Sequence, residues 1–418
     1  MTPRSLARFG RCSFFLATVA SFALRGETEA ELAARAAALH ARVFTIDTHL
    51  DTPTLSLRRT GWDIAQRHAA ATDFSQVDFP RMREGGLKAA VMVVYVDQGP
   101  RTPAGFAAVR DNALRSFLRV HGVAQRLSSE CGLALTADDG PRLAAASRHA
   151  LYLSIENGYA IGRDLTLLKT YHDLGARFFG FVHNGNNDLA DSSQPEKGPE
   201  WNGLSPLGRE AVRECNRLGL VIDGSHAADA TVRQLIAESQ TPIILTHSAC
   251  KAIRDHPRNV DDRLMRELAA GGGVIQITAV PLFLKTLPPD PEMEKASARS
   301  MARAAGRQLS DEAAVELRIE RYRLRSGRPP APVALDDFLQ HLFHAINVVG
   351  ADHVGIGSDM DGGGGVIGLE DVAQFPKITL ALLKRGMAET DVEKIWGGNA
   401  RRLLRAAEEH ARKMRAGQ

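Results

Sequence analysis

The amino-acid sequence predicts an α/β protein folded as a single (β/α)8, or TIM, barrel. Eight short runs of β-branched and aliphatic residues recur along the chain, and each is followed by a helical stretch. The interiors of these runs are continuously apolar rather than alternating, as is typical of strands buried on both faces of a parallel sheet. Eight such strands with intervening helices favour a closed barrel over an open doubly wound sheet.

The predicted strands are spread over the whole chain. In order, they cover residues 43–47, 89–96, 150–156, 176–183, 219–223, 242–247, 273–278 and 353–359. The helix before the last strand has a clear period, with apolar residues at Leu335, Phe338, Leu339, Leu342, Phe343 and Ile346. This pattern buries one stripe of a helix, and the carboxylates of Asp336 and Asp337 in its first turn suit the helix dipole.

Two connections between the predicted strands are long. Residues 52–86 separate the first two strands, and residues 281–333 separate the seventh and eighth. Long insertions in a barrel are typically placed over the active-site mouth, and we expect both to lie there.

Composition and charge exclude several classes of protein. The 418 residues are 44% hydrophobic and 24% charged, which excludes a disordered, collagen-like or polytopic membrane protein. Lys and Arg number 52 against 49 Asp and Glu, and three of the bases lie in the first eleven residues. Without that segment the chain is formally neutral, which indicates neither a nucleic-acid nor an anionic-membrane partner.

Residues 1–25 resemble a secretory signal peptide. Arginines precede the apolar run 12–24, which is too short to span a bilayer, and Ala20 and Ala23 are small residues suited to cleavage. We expect an exported protein, periplasmic or secreted, in which residues 26–418 form one barrel domain with a C-terminal helix. No stable membrane span is expected in the mature form, and its three cysteines, which form no CxxC pair, are expected to be buried thiols.

Polar residues able to bind metal follow the predicted strands. In a barrel the C-terminal ends of all strands meet at one face, where the active sites of this fold lie. The residues concerned are His49, Asp51, Glu156, His183, His226, His247 and Asp359. Each has an ordinary alternative, such as a hydrogen-bonded core histidine or a solvated carboxylate. Their shared position at six of the eight strand ends nevertheless predicts a metal site.

The number of donors indicates two metal ions. Imidazole and carboxylate ligands without a thiolate are typical of catalytic Zn²⁺, and one tetrahedral ion with an open position could not use all of them. His49 and Asp51 are predicted to bind one ion. His226 and His247 are predicted to bind the other, and Glu156, whose strand lies between these groups, is the predicted bridge. A bridged pair holds its ions roughly 3.5–4 Å apart.

Eight sequence motifs, in this order, resemble the renal or membrane dipeptidases, a family of zinc peptidases with a barrel fold. The resemblance extends from about residue 43 to residue 405. The motifs are IDTHLDTP (46–53), DFPRMREGGLKA (78–89), SIENG (154–158), FVHNGNNDLADSS (181–193), DGSHA (223–227), THSACKAIRDHPRNVDD (246–262), GIGSDMDG (355–362) and IWGGNARRL (395–403). Each motif is weak alone, but the ordered set is highly specific.

The resemblance implies a function and further roles. It implies a homodimeric dipeptidase with two zinc ions per chain, in which a metal-bridging hydroxide attacks dipeptides that have a free C-terminal carboxylate. His183 matches a substrate-binding histidine that polarises the scissile carbonyl, and Arg258 matches the arginine that grips the free carboxylate. Asp359 matches the acid/base partner of the hydroxide. Whether L,D-dipeptides are substrates is left open, and residues 281–333 match no motif of the family.

Two other functions remain as alternatives. The first is another binuclear amidohydrolase, acting on N-acyl amino acids, cyclic amides or phosphoesters. Such enzymes typically begin with His-x-His and often bridge through a modified lysine on strand four, whereas this chain has His49-Leu50-Asp51 and no lysine there. The second is a non-catalytic exported metal- or peptide-binding protein, which would have no need of Asp359 or Arg258.

Overall fold

The protein is described from a computed structural model. It describes residues 27–417, except residues 293, 296, 297, 300–312, 314, 318 and 321–331. The predicted signal peptide and much of the 281–333 insertion lie outside the described residues. Among the residues that are described, no helix combines the length and apolar character that crossing a membrane requires.

The strands form one parallel sheet that curls into a barrel. They are β1 Ile46–Leu50, β2 Ala89–Tyr95, β3 Cys131–Leu133, β4 His149–Glu156, β5 Ala176–Gly180, β6 Val221–Asp223, β7 Ile244–Ser248, β8 Val274–Ile277 and β9 Val354–Ile356. The sheet order is β1-β2-β4-β5-β6-β7-β8-β9, so eight strands follow the chain around the barrel. The ring closes where Leu50 forms a parallel bridge with Met360, beyond the end of β9. The predicted barrel is therefore confirmed.

The helices lie between the strands and at the chain ends. They are α1 Glu29–Arg42, α2 Ala70–Asp73, α3 Phe79–Glu84, α4 Pro103–Arg126, α5 Asp139–Ala145, α6 Thr166–Asp173, α7 Pro206–Leu218, α8 Asp229–Glu238, α9 Asp262–Ala270, α10 Pro281–Leu284, α11 Leu335–Val349, α12 Pro376–Lys384, α13 Glu389–Glu393 and α14 Asn399–Ala416. Helix α4 shows the typical start, because the Thr102 hydroxyl accepts the Gly105 amide at 3.1 Å and Pro103 takes the first helical position.

The strand boundaries differ from the predicted ones. The first strand spans residues 46–50 rather than 43–47, and the strand predicted to end at His183 ends at Gly180, which leaves His183 in the following loop. The last strand stops at Ile356, three residues before Asp359. The short strand β3 was not predicted, because three residues pairing only with the start of β4 give no recognisable apolar run.

One end of the barrel is filled by apolar side chains. On β2 and β4 the residues Ala89, Val91, Ala150 and Tyr152 belong to a buried cluster that also includes Leu403 of the C-terminal helix α14. This helix therefore packs over the N-terminal ends of the strands. The polar residues lie at the opposite end, which is the end that barrel enzymes use for catalysis.

The predicted helix before the last strand is confirmed as α11. Its residues Phe338, Leu339 and Leu342 are buried, and the Asp337 carboxylate accepts the Ala334 amide at the helix start, at 2.9 Å. The three described cysteines, Cys131, Cys215 and Cys250, are buried free thiols, as predicted.

Candidate metal centre and active site

Glu156 lies at the centre of the predicted site. Its Oε2 atom is 3.5 Å from Nε2 of His49. Its other oxygen, Oε1, is 3.1 Å from Nε2 of His226 and 3.6 Å from Nε2 of His247. One oxygen of this buried carboxylate thus faces His49, and the other faces His226 and His247. The structure brings together residues that are almost two hundred positions apart in sequence.

Local strand irregularities direct two of these histidines into the site. The pairing register shifts between Asp47 and Leu50 on β1, and again between Leu245 and Ser248 on β7. His49 and His247 lie within these shifts. An irregularity of this kind changes the direction of a side chain relative to the regular alternation of a strand.

Glu156 reaches the site by regular alternation instead. It follows Ala150, Tyr152 and Ser154 on the same face of β4, and the first two of these belong to the cluster inside the barrel. His226 reaches the site in a third way. It lies after β6 in a left-handed backbone conformation with φ of 66°. Such a conformation is uncommon outside glycine and is worth attention when it occurs beside a cluster of polar groups.

Hydrogen bonds orient the rings of His226 and His247. Nδ1 of His226 lies 3.1 Å from Oδ1 of Asn184 and donates to it. The Thr246 hydroxyl donates to Asp223 at 2.6 Å, so its oxygen accepts from Nδ1 of His247 at 3.0 Å. Both assignments put the ring proton on Nδ1 and direct the Nε2 lone pair into the site. Metal-binding histidines are held in this way by outer partners.

The electrostatics of the cluster suit neutral imidazoles on one side. Burial, followed by the charges of Arg258 and neighbouring histidines, lowers the pKa of His226 well below its ordinary value. The pKa of His247 is lowered in the same way, by burial and then by the other histidines and Arg258. Neutral imidazole is the form that binds a metal ion.

The carboxylate side of the cluster requires positive charge. Burial alone would lower the pKa of His49, but Glu156 and Asp51 outweigh it and raise that pKa well above its ordinary value. Burial, together with Asp51 and Glu156, raises the pKa of Asp359 well above its usual range. Three carboxylates in one buried site are therefore short of positive charge, and a cation is a good partner for them.

The donor set fits a metal ion. Among the described residues, Nε2 of His49 is buried and has no hydrogen-bond partner. Three groups offer ligand atoms within 4.8 Å of one another: His49, Glu156 and His247; Glu156, His183 and His226; and His49, Asp51 and Asp359. Nitrogen and carboxylate oxygen donors of this kind suit a first-row divalent cation.

His183 and Arg258 flank the imidazole side of the site. Nε2 of His183 is 4.0 Å from Oε1 of Glu156, and its ring packs edge-on against Tyr95 at 4.7 Å. The Arg258 guanidinium is buried, donates to the His247 carbonyl at 3.2 Å and lies 5.2 Å from the ring centre of Phe283. Burial lowers the pKa of Arg258 to about 10, so it remains a cation at neutral pH.

Phe283 shows where the start of the second insertion, residues 281–333, lies. It belongs to α10, at the start of the predicted 281–333 insertion, and its carbonyl accepts a bond from Asn259 at 2.7 Å. This end of the insertion therefore lies beside the site, as expected. The first insertion, 52–86, begins in the turn directly after Asp51.

Several residues of the site were not predicted from the sequence. Asn184, Thr246 and Asp223 orient imidazole rings, and Tyr95 packs against His183. Asn184 and Thr246 are next to His183 and His247 in sequence, so adjacency to a strand-end histidine was the available signal. Nothing in the sequence singles out Tyr95, which lies in an apolar run.

Together, the barrel and its cluster of buried imidazoles and carboxylates define a metal-dependent hydrolase. The model of the membrane dipeptidase family (peptidase family M19) matches residues 33–418. The chain therefore belongs to this family and is a metallo-dipeptidase. The family, the fold and the enzyme class predicted from the sequence are confirmed.

Individual relatives agree with this assignment. Dipeptidase aclJ of Aspergillus oryzae is 31% identical over 347 residues, which are 82% of this chain and 72% of that protein. Dipeptidase tcpJ of Claviceps purpurea is 30% identical over 341 residues, which are 80% of this chain and 70% of that protein. The crystal structure of the probable dipeptidase PvdM from Pseudomonas aeruginosa has a TM-score of 0.77 and 29% identity, and the match covers 91% of this chain and 100% of that chain.

Proposed function

We propose that the protein is a two-zinc dipeptidase that hydrolyses dipeptides with a free C-terminal carboxylate. The observation that carries this proposal is the position of Glu156, whose Oε2 atom faces His49 while its Oε1 atom faces His226 and His247. A carboxylate in that position can bridge two ions. His49 and Asp51 would hold one ion, and His226 and His247 would hold the other.

Zinc is the metal that best suits these ligands. Catalytic zinc sites typically use His and carboxylate ligands and leave a position open for water or substrate. When bound, a pair of such ions lowers the pKa of a shared water to about 7, from 15.7 in bulk, and so supplies hydroxide at neutral pH.

The chain's own residues then bind the substrate and move the proton. Nε2 of His183 faces the site and would donate a hydrogen bond to the scissile carbonyl oxygen, which stabilises negative charge as it develops there. The Asp359 carboxylate would accept the proton of the attacking water and deliver it to the leaving amine. A carboxylate oxygen of Asp359 lies within 4.8 Å of ligand atoms of His49 and Asp51, a position from which it would reach the attacking water.

Arg258 would hold the substrate's free carboxylate. A guanidinium offers a planar pair of donors that matches a carboxylate, and this one is buried beside the imidazoles. Its Nε atom is buried and, within the described part of the chain, has no hydrogen-bond partner. A clamp at this position would restrict cleavage to the bond one residue before a C-terminus.

Metal analysis and metal removal test the first half of the proposal. We expect two zinc ions per chain, loss of dipeptide hydrolysis after chelation, and recovery when zinc is added back. Metal content is measured by elemental analysis on the same samples as activity. Full activity in the metal-free protein would overturn the proposal, and one ion per chain at full activity would overturn the bridged pair.

A substrate panel tests the second half. Wild type and Arg258→Ala are compared on free, C-terminally amidated and N-acylated dipeptides, including L,D pairs. We expect Arg258→Ala to raise KM for free dipeptides at least about tenfold, because a charge-assisted pair is lost, and to change little for amidated ones. Arg254→Ala, in the same loop, is the matched control. Equal effects on free and amidated substrates would rule out the clamp.

A further inference from the structure

The 52–86 insertion meets the glycine-rich turn that follows β9, and the contact is made by Gln76. The Gln76 backbone amide donates to Oδ1 of Asp361 at 2.7 Å, and its side-chain oxygen accepts the Asp361 amide at 2.8 Å. Its side-chain nitrogen donates to the carbonyls of Gly364 and Glu370, at 2.9 and 2.8 Å. One buried glutamine thus makes three hydrogen bonds to the 359–365 turn, which contains Asp359, and a fourth to Glu370 beyond it.

This turn is held in an unusual conformation. Asp359 and Asp361 both have left-handed backbones, with φ of 60° and 65°. The Asp359 carbonyl accepts the amides of Gly362, Gly363 and Gly364, at 3.2, 2.9 and 2.7 Å. Left-handed backbone conformations are strained for residues other than glycine and persist only where surrounding contacts enforce them. Gln76 supplies such contacts from outside the turn.

Asp361 also reaches the turn that contains the other carboxylate. Its Oδ2 atom accepts the Thr52 hydroxyl at 2.8 Å and the Ser56 hydroxyl at 3.4 Å. Thr52 directly follows Asp51. The buried side chain of Asp361 therefore ties the turn after β1 to the turn after β9, with Asp51 on one and Asp359 on the other.

We propose that Gln76 and Asp361 are positioning residues for Asp359 in the hydrolytic reaction. They hold the backbone of the turn so that the Asp359 carboxylate stays beside Asp51 and His49. Neither residue is placed among the proposed metal ligands or the substrate-binding groups. This inference rests on the proposed function, in which Asp359 moves the proton. It gives the 52–86 insertion a part in catalysis besides its place at the rim.

The test uses the full-length, zinc-loaded enzyme and the variant Gln76→Met. Methionine has a similar length but makes none of the side-chain hydrogen bonds. We expect kcat for a free dipeptide to fall at least about tenfold, since small misplacements of a catalytic group have large effects on rate. KM, zinc content and melting temperature should stay close to those of wild type. Gln374→Met is the matched control, because the Gln374 side chain caps a nearby helical turn by accepting the Asp371 amide at 2.9 Å.

A second variant tests the same contacts by repulsion. Gln76→Glu keeps the shape and the acceptor for the Asp361 amide but places a carboxylate oxygen against the carbonyls of Gly364 and Glu370, so its kcat should fall at least as far as that of Gln76→Met. A kcat within twofold of wild type for both variants would overturn the inference. The inference would also be overturned if the loss of activity were fully explained by a loss of bound zinc or by a smaller amount of folded protein.

Asp359→Asn separates this inference from the proposed function. We expect this variant to keep its zinc and to lose at least about a hundredfold in kcat, the usual scale for a general acid–base group. If Asp359→Asn is inactive and Gln76→Met is fully active, only the positioning role fails. If Asp359→Asn is fully active, both the proposed mechanism and the positioning role fail.

Discussion

Two neighbouring glycines of the 362–365 run show how single residues set the geometry of the site. A Cβ atom built on Gly362 would lie 2.1 Å from Oδ1 of Asp359 and 2.1 Å from Oδ2 of Asp51, so any side chain at this position would force the two carboxylates to move. A Cβ atom on Gly363 would find no atom closer than 3.8 Å. Glycine at position 362 therefore allows the backbone to approach the two carboxylates closely, whereas position 363 has room for a side chain.

This difference gives a matched pair of variants. We expect Gly362→Ala to weaken zinc binding at least about tenfold, because it pushes apart a proposed zinc ligand and the carboxylate beside it. Gly363→Ala should bind zinc within about twofold of wild type, since its methyl group fits. Zinc affinity is measured by competition with a chelating dye. Equal affinities for the two variants would contradict the close packing described here.

At the scale of elements, the start of strand β4 contains a buried histidine far from the metal centre. His149 lies at the filled end of the barrel, where Nδ1 donates to the Leu87 carbonyl at 3.0 Å and the ring stacks on Phe79. Burial lowers the pKa of His149 from 6.5 to about 4. Arg83 and Glu130 are the nearby charged groups, and their influence on this pKa is smaller than that of burial.

His149 makes the stability of the barrel depend on pH. The unfolded chain takes up a proton near pH 6.5, whereas the folded chain resists protonation down to about pH 4. The free energy of unfolding should therefore fall as the pH drops from 6.5 to 4, by at most roughly 3 kcal/mol from this residue. His149→Asn keeps a donor for Leu87 and cannot titrate, so its loss of stability over this range should be smaller. Parallel urea titrations from pH 8 to pH 4 measure both proteins, and identical pH slopes would contradict the prediction.

Strand irregularities explain another part of the site at this scale. His49 and His247 point into the centre because the pairing register shifts on β1 and β7. A period of two, read from the sequence, gives no sign of such a shift. The predicted boundaries of the first strand were displaced by three residues, although its place in the barrel order was right.

At the scale of the whole molecule, the two ends of the barrel have different roles. The C-terminal helix α14 packs over one end through Leu403, Leu404 and Ala407. The other end holds the metal centre between the loops that follow the strands. The loops around the metal centre, including the two insertions, can therefore differ in sequence without disturbing the core at the filled end.

Export and self-association are proposals at this same scale. We propose that residues 1–25 are removed during export, because their charged start and short apolar run resemble a signal peptide. The family resemblance also led us to propose a homodimer. Mass spectrometry of the protein recovered from its source should show a chain that begins between about residues 21 and 26. An intact N-terminus on exported protein, or retention of the protein in the cytoplasm, would contradict this processing.

The sequence by itself determined the class of fold and the chemistry of the site. Continuously apolar runs predict strands buried on both faces, and the polar residues that follow them predict where the C-terminal rim lies. Both patterns are local, so they can be read along the chain. His49, Glu156 and His226 were predicted in this way, although nothing in the sequence shows the distances between them.

Only the tertiary structure decided how these residues act together. That the two oxygens of Glu156 face different imidazoles, that Asn184 and Thr246 orient two rings, and that Gln76 braces the turn of Asp359 all depend on contacts between distant segments. These contacts depend on register shifts, left-handed turns and side-chain directions. Barrel closure brings the segments within hydrogen-bonding distance, and no periodicity along the chain encodes that step.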